Sequence, residues 1–113
     1  MIKLITAVIK PHRLDAVRAA LLAAGVQGMT VTPAEGMGRQ HGRRAVYRGT
    51  EYPGQLVPKM RVEVLVDLFE AEELLVRIAA AARTGSIGDG KAWITDVEQV
   101  VRIRTGEVGV DAL

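Results

Sequence analysis

The chain opens on a stretch, Ile2 to Ile9, in which both alternating sets of side chains are apolar: Ile2, Leu4 and Val8 on one face, Ile5, Ala7 and Ile9 on the other. That pattern predicts a strand covered on both sides. Lys10-Pro11 ends it, since proline donates nothing to a ladder and restricts the residue before it. Leu14, Val17, Leu21 and Ala24 then recur at helical spacing, predicting a helix over 12–24 with Gly25 as its terminator. Gly28-Met29-Thr30-Val31-Thr32-Pro33 predicts a second strand over 28–35, its proline marking an edge or a bulge. From Gly38 to Lys59 no period of two or 3.6 persists, and Gly and Pro recur.

The plan then repeats. Val62, Val64 and Val66 alternate with Arg61, Glu63 and Leu65, predicting a strand over 60–66. Leu74, Ile78 and Ala81 or Ala82 predict a helix over about 70–83, with Glu72 and Glu73 near its start and Arg83 at its end suiting the helix dipole. A glycine-rich turn, Thr84 to Gly90, leads into Lys91–Thr95, and a last strand is predicted over 97–104. Strand–helix–strand, long insert, strand–helix–strand is the order of a ferredoxin-like α+β fold: a double βαβ sandwich, with an antiparallel sheet carrying two helices on one face. The long loop, about 38–58, lies between the second and third strands. The helices leave the second apolar face of the first strand without a cover, which a second subunit would supply.

Composition narrows the functions. The 113 residues predict a single domain, 1–113, and 4% aromatic residues leave the core to Val, Leu, Ile, Ala and Met. No cysteine is present, which removes disulfides, thiolate-bound zinc and thiol catalysis and is compatible with a reducing, cytoplasmic setting. No apolar run approaches the roughly 20 residues of a membrane span, and no signal peptide opens the chain, so no membrane insertion is expected. A net charge of +2 gives no argument for nucleic-acid binding. A sheet-borne RNA site would also need aromatic residues that the predicted strands lack, apart from Trp93.

Three segments carry candidate chemistry. In Gly38-Arg39-Gln40-His41-Gly42 the glycines let backbone N–H groups approach a ligand, and Gln40 brings a carbonyl oxygen suited to a hard cation. In Thr84–Lys91 three glycines precede a lysine, a composition suited to phosphate, although the spacing is not that of a Walker loop. In the predicted last strand, alternation puts Arg102 and Arg104 on one face about 7 Å apart, an arrangement favoured by an anion between them. Together they suggest a polyphosphate site, whose loops come from different chains if it lies in a cleft between subunits. No Ser–His or paired-carboxylate arrangement points to an enzyme.

These motifs, with Tyr47-Arg48-Gly49-x-Glu51-Tyr52, Ile9-Lys10-Pro11 and Val101–Glu107, resemble those of the PII nitrogen-regulatory proteins, in order and over essentially the whole chain. The resemblance implies a non-catalytic, cytoplasmic homotrimer that binds ATP or ADP between subunits. It implies Mg²⁺ with ATP, and 2-oxoglutarate as the effector. Carried over by position, Thr30 and Leu65 lie by the adenine. Gly38, Arg39, Gln40, Gly88, Asp89, Gly90, Lys91, Arg102, Ile103 and Arg104 belong to the nucleotide site. Gln40 completes the metal shell, Lys59 pairs with a carboxylate of 2-oxoglutarate, and Ile87 lies beside that effector. Tyr52 matches the tyrosine that carries a nucleotidyl group in many members. The implied partners are an ammonium transporter, a glutamine synthetase-modifying enzyme or a nucleotidylyltransferase, engaged through the long loop.

The loop also departs from the family pattern at Arg43-Arg44, Ala45 and Pro53-Gly54-Gln55. Residues 37–59 hold five Lys or Arg against one acidic residue, Glu51. Such a charge suggests altered partner choice with an intact ligand site. The alternatives are a PII-like paralogue that senses another metabolite and, further off, a small nucleotide-hydrolysing enzyme. Trp93 is expected in core or interface packing, and His12 and His41 as lone histidines without a metal.

Overall fold

The computed structural model describes residues 1–37 and 56–113, and between them the backbone of Ala45–Tyr47 and Thr50–Tyr52. The strands are β1 (Ile2–Ile9), β2 (Thr30–Gly36), β3 (Ala45–Tyr47), β4 (Thr50–Tyr52), β5 (Val57–Asp67) and β6 (Lys91–Val97). The helices are α1 (Leu14–Ala23) and α2 (Leu68–Ala82), with 3₁₀ turns at Pro11–Arg13 and Gly109–Ala112. Four strands form an antiparallel sheet in the order β2-β5-β1-β6, and β3 and β4 form a separate hairpin. This is the expected ferredoxin-like α+β architecture.

Register sorts the side chains. Ile5 lies opposite Val64 and Ile94, and Ala7 opposite Val62 and Ala92, so one face collects the small and β-branched apolar residues. Val17 and Leu21 of α1 and Ala71, Leu74, Ile78 and Ala82 of α2 close over it as one core. Each such Val, Leu or Ile stabilises the fold by about 1.5–3 kcal/mol through burial. The other face carries Leu4, Thr6, Val8, Leu65 and Trp93, with no helix over it among the described residues. Thr6, at the centre of that face, is 1% exposed between Glu63 and Trp93.

Local chemistry sets the element ends. Asp67 is the only residue between Val66 and the first turn of α2, and its carboxylate accepts the Phe69 N–H at 3.2 Å. The helix therefore begins at Leu68, ahead of the expected Glu70. Arg83 is already extended, past the helix rather than in its last turn. At the end of α1, Val26 N–H reaches Leu21 O and Gly25 N–H reaches Leu22 O, both at 3.0 Å, with Gly25 at φ +88°. That is a Schellman motif, and it is why the glycine stands there. Pro33 sits in β2 without breaking it because β2 is an edge strand.

Two expectations are corrected. The last strand is not 97–104: β6 ends where Val97 meets Ile2, the start of β1, so no neighbouring backbone continues the ladder. Residues beyond it make one isolated bridge, Val101 to Val108, around a turn with Gly106 at φ +77°. The insert is also not without regular structure. Ala45 pairs with Tyr52, Val46 with Glu51 and Tyr47 with Thr50, and β5 starts at Val57, before the expected end of the loop.

Candidate functional site

Lys59 is the feature on which the site is built. It sits near the start of β5, one residue beyond Pro58, on the helix-free face. It is 8% exposed, and its ammonium donates to the Gly88 carbonyl at 2.5 Å. Burial, then the like charge of Lys10, push its pKa below the ordinary lysine range, and Asp89 opposes the shift. A buried ammonium with a neutral carbonyl for a partner would be better satisfied by an anion.

The loop that holds Lys59 is tied to itself. Both Thr84 N–H and Gly85 N–H donate to Asp89 Oδ2 at 2.9 Å, and the Thr84 hydroxyl donates to Asp89 Oδ1 at 2.5 Å. Ser86 N–H donates to Thr84 Oγ1 at 3.1 Å. From the end of β1, Lys10 Nζ reaches Thr84 Oγ1 at 3.0 Å and Asp89 Oδ1 at 3.2 Å. These donors, the Thr84 hydroxyl foremost, hold the Asp89 carboxyl well below the usual carboxylate range. Gly90 has φ +92°, and a Cβ on it would stand 1.8 Å from the Val8 carbonyl oxygen. The loop is thus pressed against the end of β1, and only glycine fits there.

The expected site residues fall in two places. Lys59, Gly88, Asp89, Gly90 and Lys91 lie together where β1, β5 and β6 meet the 84–90 loop, with Lys91 exposed at the start of β6. Asp89 belongs to this group, but its carboxylate is engaged within the loop. Exposed Ile87 lies on the same loop. Thr30 and Leu65 line a different cleft of about 720 Å³, with Leu4, Met29, Glu63 and Leu113. Thr30 is opposite Glu63 and Ala34 opposite Lys59, so the two places are about 13 Å apart along β5.

Arg102, Ile103 and Arg104 lie on the turn after Val101, so the alternation expected of a strand does not operate. Arg102 turns to Leu113 O at 2.5 Å, Ala112 O at 3.4 Å and Glu107 Oε1 at 3.4 Å. Arg104 is exposed and Ile103 is 96% exposed. Trp93 is 40% exposed on the helix-free face and is not part of the core. Gly38, Arg39 and Gln40, and the Tyr52 side chain, lie outside the described residues. Lys10 was not expected in the site, and Thr84 only as the first residue of the glycine-rich segment. Their signal was faint: a lysine that also ends a strand, and a threonine five residues before an aspartate.

Fold and site together define a ferredoxin-like α+β domain with a buried lysine, held by a glycine-rich loop, at the root of a long excursion from its sheet. The family model described as "Nitrogen regulatory protein P-II" matches residues 2–107. A P-II protein of Rhizobium meliloti (strain 1021) is 51% identical over 111 residues, 98% of this chain and 99% of that one. One of Nostoc punctiforme is 49% identical with the same coverage. Among solved structures, Arabidopsis thaliana PII bound to citrate superposes with TM-score 0.81 at 33% identity, covering 99% of this chain and 92% of that one. The chain belongs to the P-II family of nitrogen regulatory proteins.

Proposed function

We propose that this protein is a non-catalytic sensor of nitrogen, carbon and energy status. It binds ATP or ADP and, with Mg-ATP, 2-oxoglutarate, and it acts through its long loop on enzymes, transporters or regulators of nitrogen metabolism. The observation that carries this reading is the buried Lys59 ammonium, held on the Gly88 carbonyl at the root of that loop.

The donors present fit such ligands. Gly88 and Gly90, at φ +91° and +92°, keep the loop backbone in a conformation other residues rarely adopt, and Lys91 is exposed beside them. A polyphosphate matches these groups. Mg²⁺, held by Gln40 and phosphate oxygens, would supply charge neutralisation and orient the effector. Lys59 would take one carboxylate of 2-oxoglutarate, with Ile87 beside it. Binding at Lys59 acts on β5 where the loop rejoins the sheet, so a ligand with different affinities for two loop arrangements shifts their populations.

A homotrimer would bring the Thr30–Leu65 cleft of one subunit to the glycine loop and Arg102–Arg104 of a neighbour. Support comes from the helix-free sheet face, where Leu65 and Trp93 remain about two-fifths exposed, at 42% and 40%. The basic loop favours a partner with an acidic docking surface.

Calorimetric titration of 2-oxoglutarate, with and without Mg-ATP, tests the reading. Binding that requires Mg-ATP is expected. Tight ATP binding with no response to 2-oxoglutarate would replace it with the PII-like paralogue reading, which the departures at Arg43-Arg44, Ala45 and Pro53–Gln55 already motivate.

A further inference from the structure

We infer that Lys10, Thr84 and Asp89 are positioning residues: they lock the 84–90 loop so that its Gly88 carbonyl is presented to Lys59, coupling the loop to the root of the long excursion. The carboxylate of Asp89, expected as a ligand contact, is engaged inside the protein.

The geometry argues for a lock rather than a chance cluster. Asp89 takes N–H groups from two successive residues and the Thr84 hydroxyl, while Lys10 spans Thr84 and Asp89 from another element. Every bond involves a charged group, the stronger class of hydrogen bond. One side of the loop is fixed by Gly90 against Val8, where no Cβ fits, and the other by this network. Gly88 lies between the two anchors. Its carbonyl is therefore held in a fixed place as an acceptor for the Lys59 ammonium.

The consequence is an aimed ammonium. The Gly88 carbonyl takes one of the three Lys59 N–H donors and fixes its direction, leaving the others for a ligand carboxylate, and a slack loop would let the ammonium wander. The liganded half of this statement rests on Lys59 taking the effector; the ligand-free half does not.

The test uses the full-length protein and three variants: Thr84→Val, which keeps shape without the hydroxyl, Thr84→Ser, which restores it, and Asp89→Asn. Amide hydrogen exchange is followed at Thr84, Gly85 and Ser86, and the Lys59 side chain by its ¹³Cε resonance, both without ligand. For Thr84→Val and Asp89→Asn we expect exchange about tenfold faster or more at these amides. The Lys59 resonance should move in both, and Thr84→Ser should behave as wild type. Faster loop exchange with an unmoved Lys59 resonance would overturn the coupling, and unchanged exchange would overturn the lock. Titrating 2-oxoglutarate with Mg-ATP then adds the liganded half. Weaker binding in Thr84→Val, restored in Thr84→Ser, supports it, and equal binding in all overturns that half. Absence of binding in the wild type would count against the proposed effector and leave the ligand-free result to decide the lock.

Discussion

Two glycines of similar backbone show how a residue's neighbours decide its worth. Gly25 and Gly90 have φ of +88° and +92°, but a Cβ on Gly25 meets nothing within 4 Å, while on Gly90 it strikes the Val8 carbonyl. Gly25→Ala should cost about 1–2 kcal/mol, the backbone term alone. Gly90→Ala adds a clash with backbone and should cost about 3 kcal/mol or more. Urea unfolding checks this, and equal costs would contradict the close approach. The charged residues predict a pH response. Lys59 has a lowered pKa in the folded state, so the folded protein binds fewer protons than the unfolded chain between that value and the ordinary lysine value of about 10.4. Its contribution therefore makes the protein more stable as pH rises through that window. Lys10→Met removes the like charge and should raise the Lys59 titration midpoint, read by ¹³Cε NMR. Asp89, whose pKa is also lowered, acts with the same sign in a more acidic window: its stabilisation is present at neutral pH and is lost as pH falls below the ordinary value of about 3.9. These pairings were not legible in the sequence, because Lys10, Lys59 and Asp89 meet only through the sheet register.

At the scale of elements, the strand-to-helix corner at Asp67 makes a compact prediction. Its carboxylate caps α2 through Phe69 N–H, so Asp67→Ala should destabilise by about 1 kcal/mol. Ile78→Ala, in the same helix at 1% exposure, should cost about 2–5 kcal/mol by leaving a cavity. Thermal or urea unfolding of both variants checks the ranking. The buried alternation of Val62, Val64 and Val66 and the helical spacing of Leu74, Ile78 and Ala82 were plain in the sequence, since each repeats the period of its element. The segment after Val97 was not. Val100, Val101 and Ile103 have strand-like side chains, but strand formation depends on a neighbour, and β1 has none to offer beyond Ile2. The β3–β4 hairpin was missed for a related reason. Three residues on either side of Arg48-Gly49 are too few for a period to register.

For the whole molecule, the helix-free face is the largest unresolved demand of the fold. Leu4, Val8, Leu65 and Trp93 occupy it, and the sequence already marked β1 as apolar on both sides. The proposed homotrimer covers that face and joins the separated halves of the ligand site. Sedimentation should give a mass three times the 12.2 kDa chain, and Trp93→Glu should lower it. A monomer that binds nucleotide at full affinity would contradict the shared site. The central proposal is narrower: Lys59 would be the cation that reads the effector at the root of the long loop. It is tested most directly by calorimetric titration of 2-oxoglutarate into Mg-ATP-loaded wild type and Lys59→Met, each first shown to melt cooperatively. We predict binding to the wild type and a loss of about 100-fold or more in the variant, the scale of a charge-assisted hydrogen bond removed from a buried site. Equal affinity in the two proteins would contradict the account.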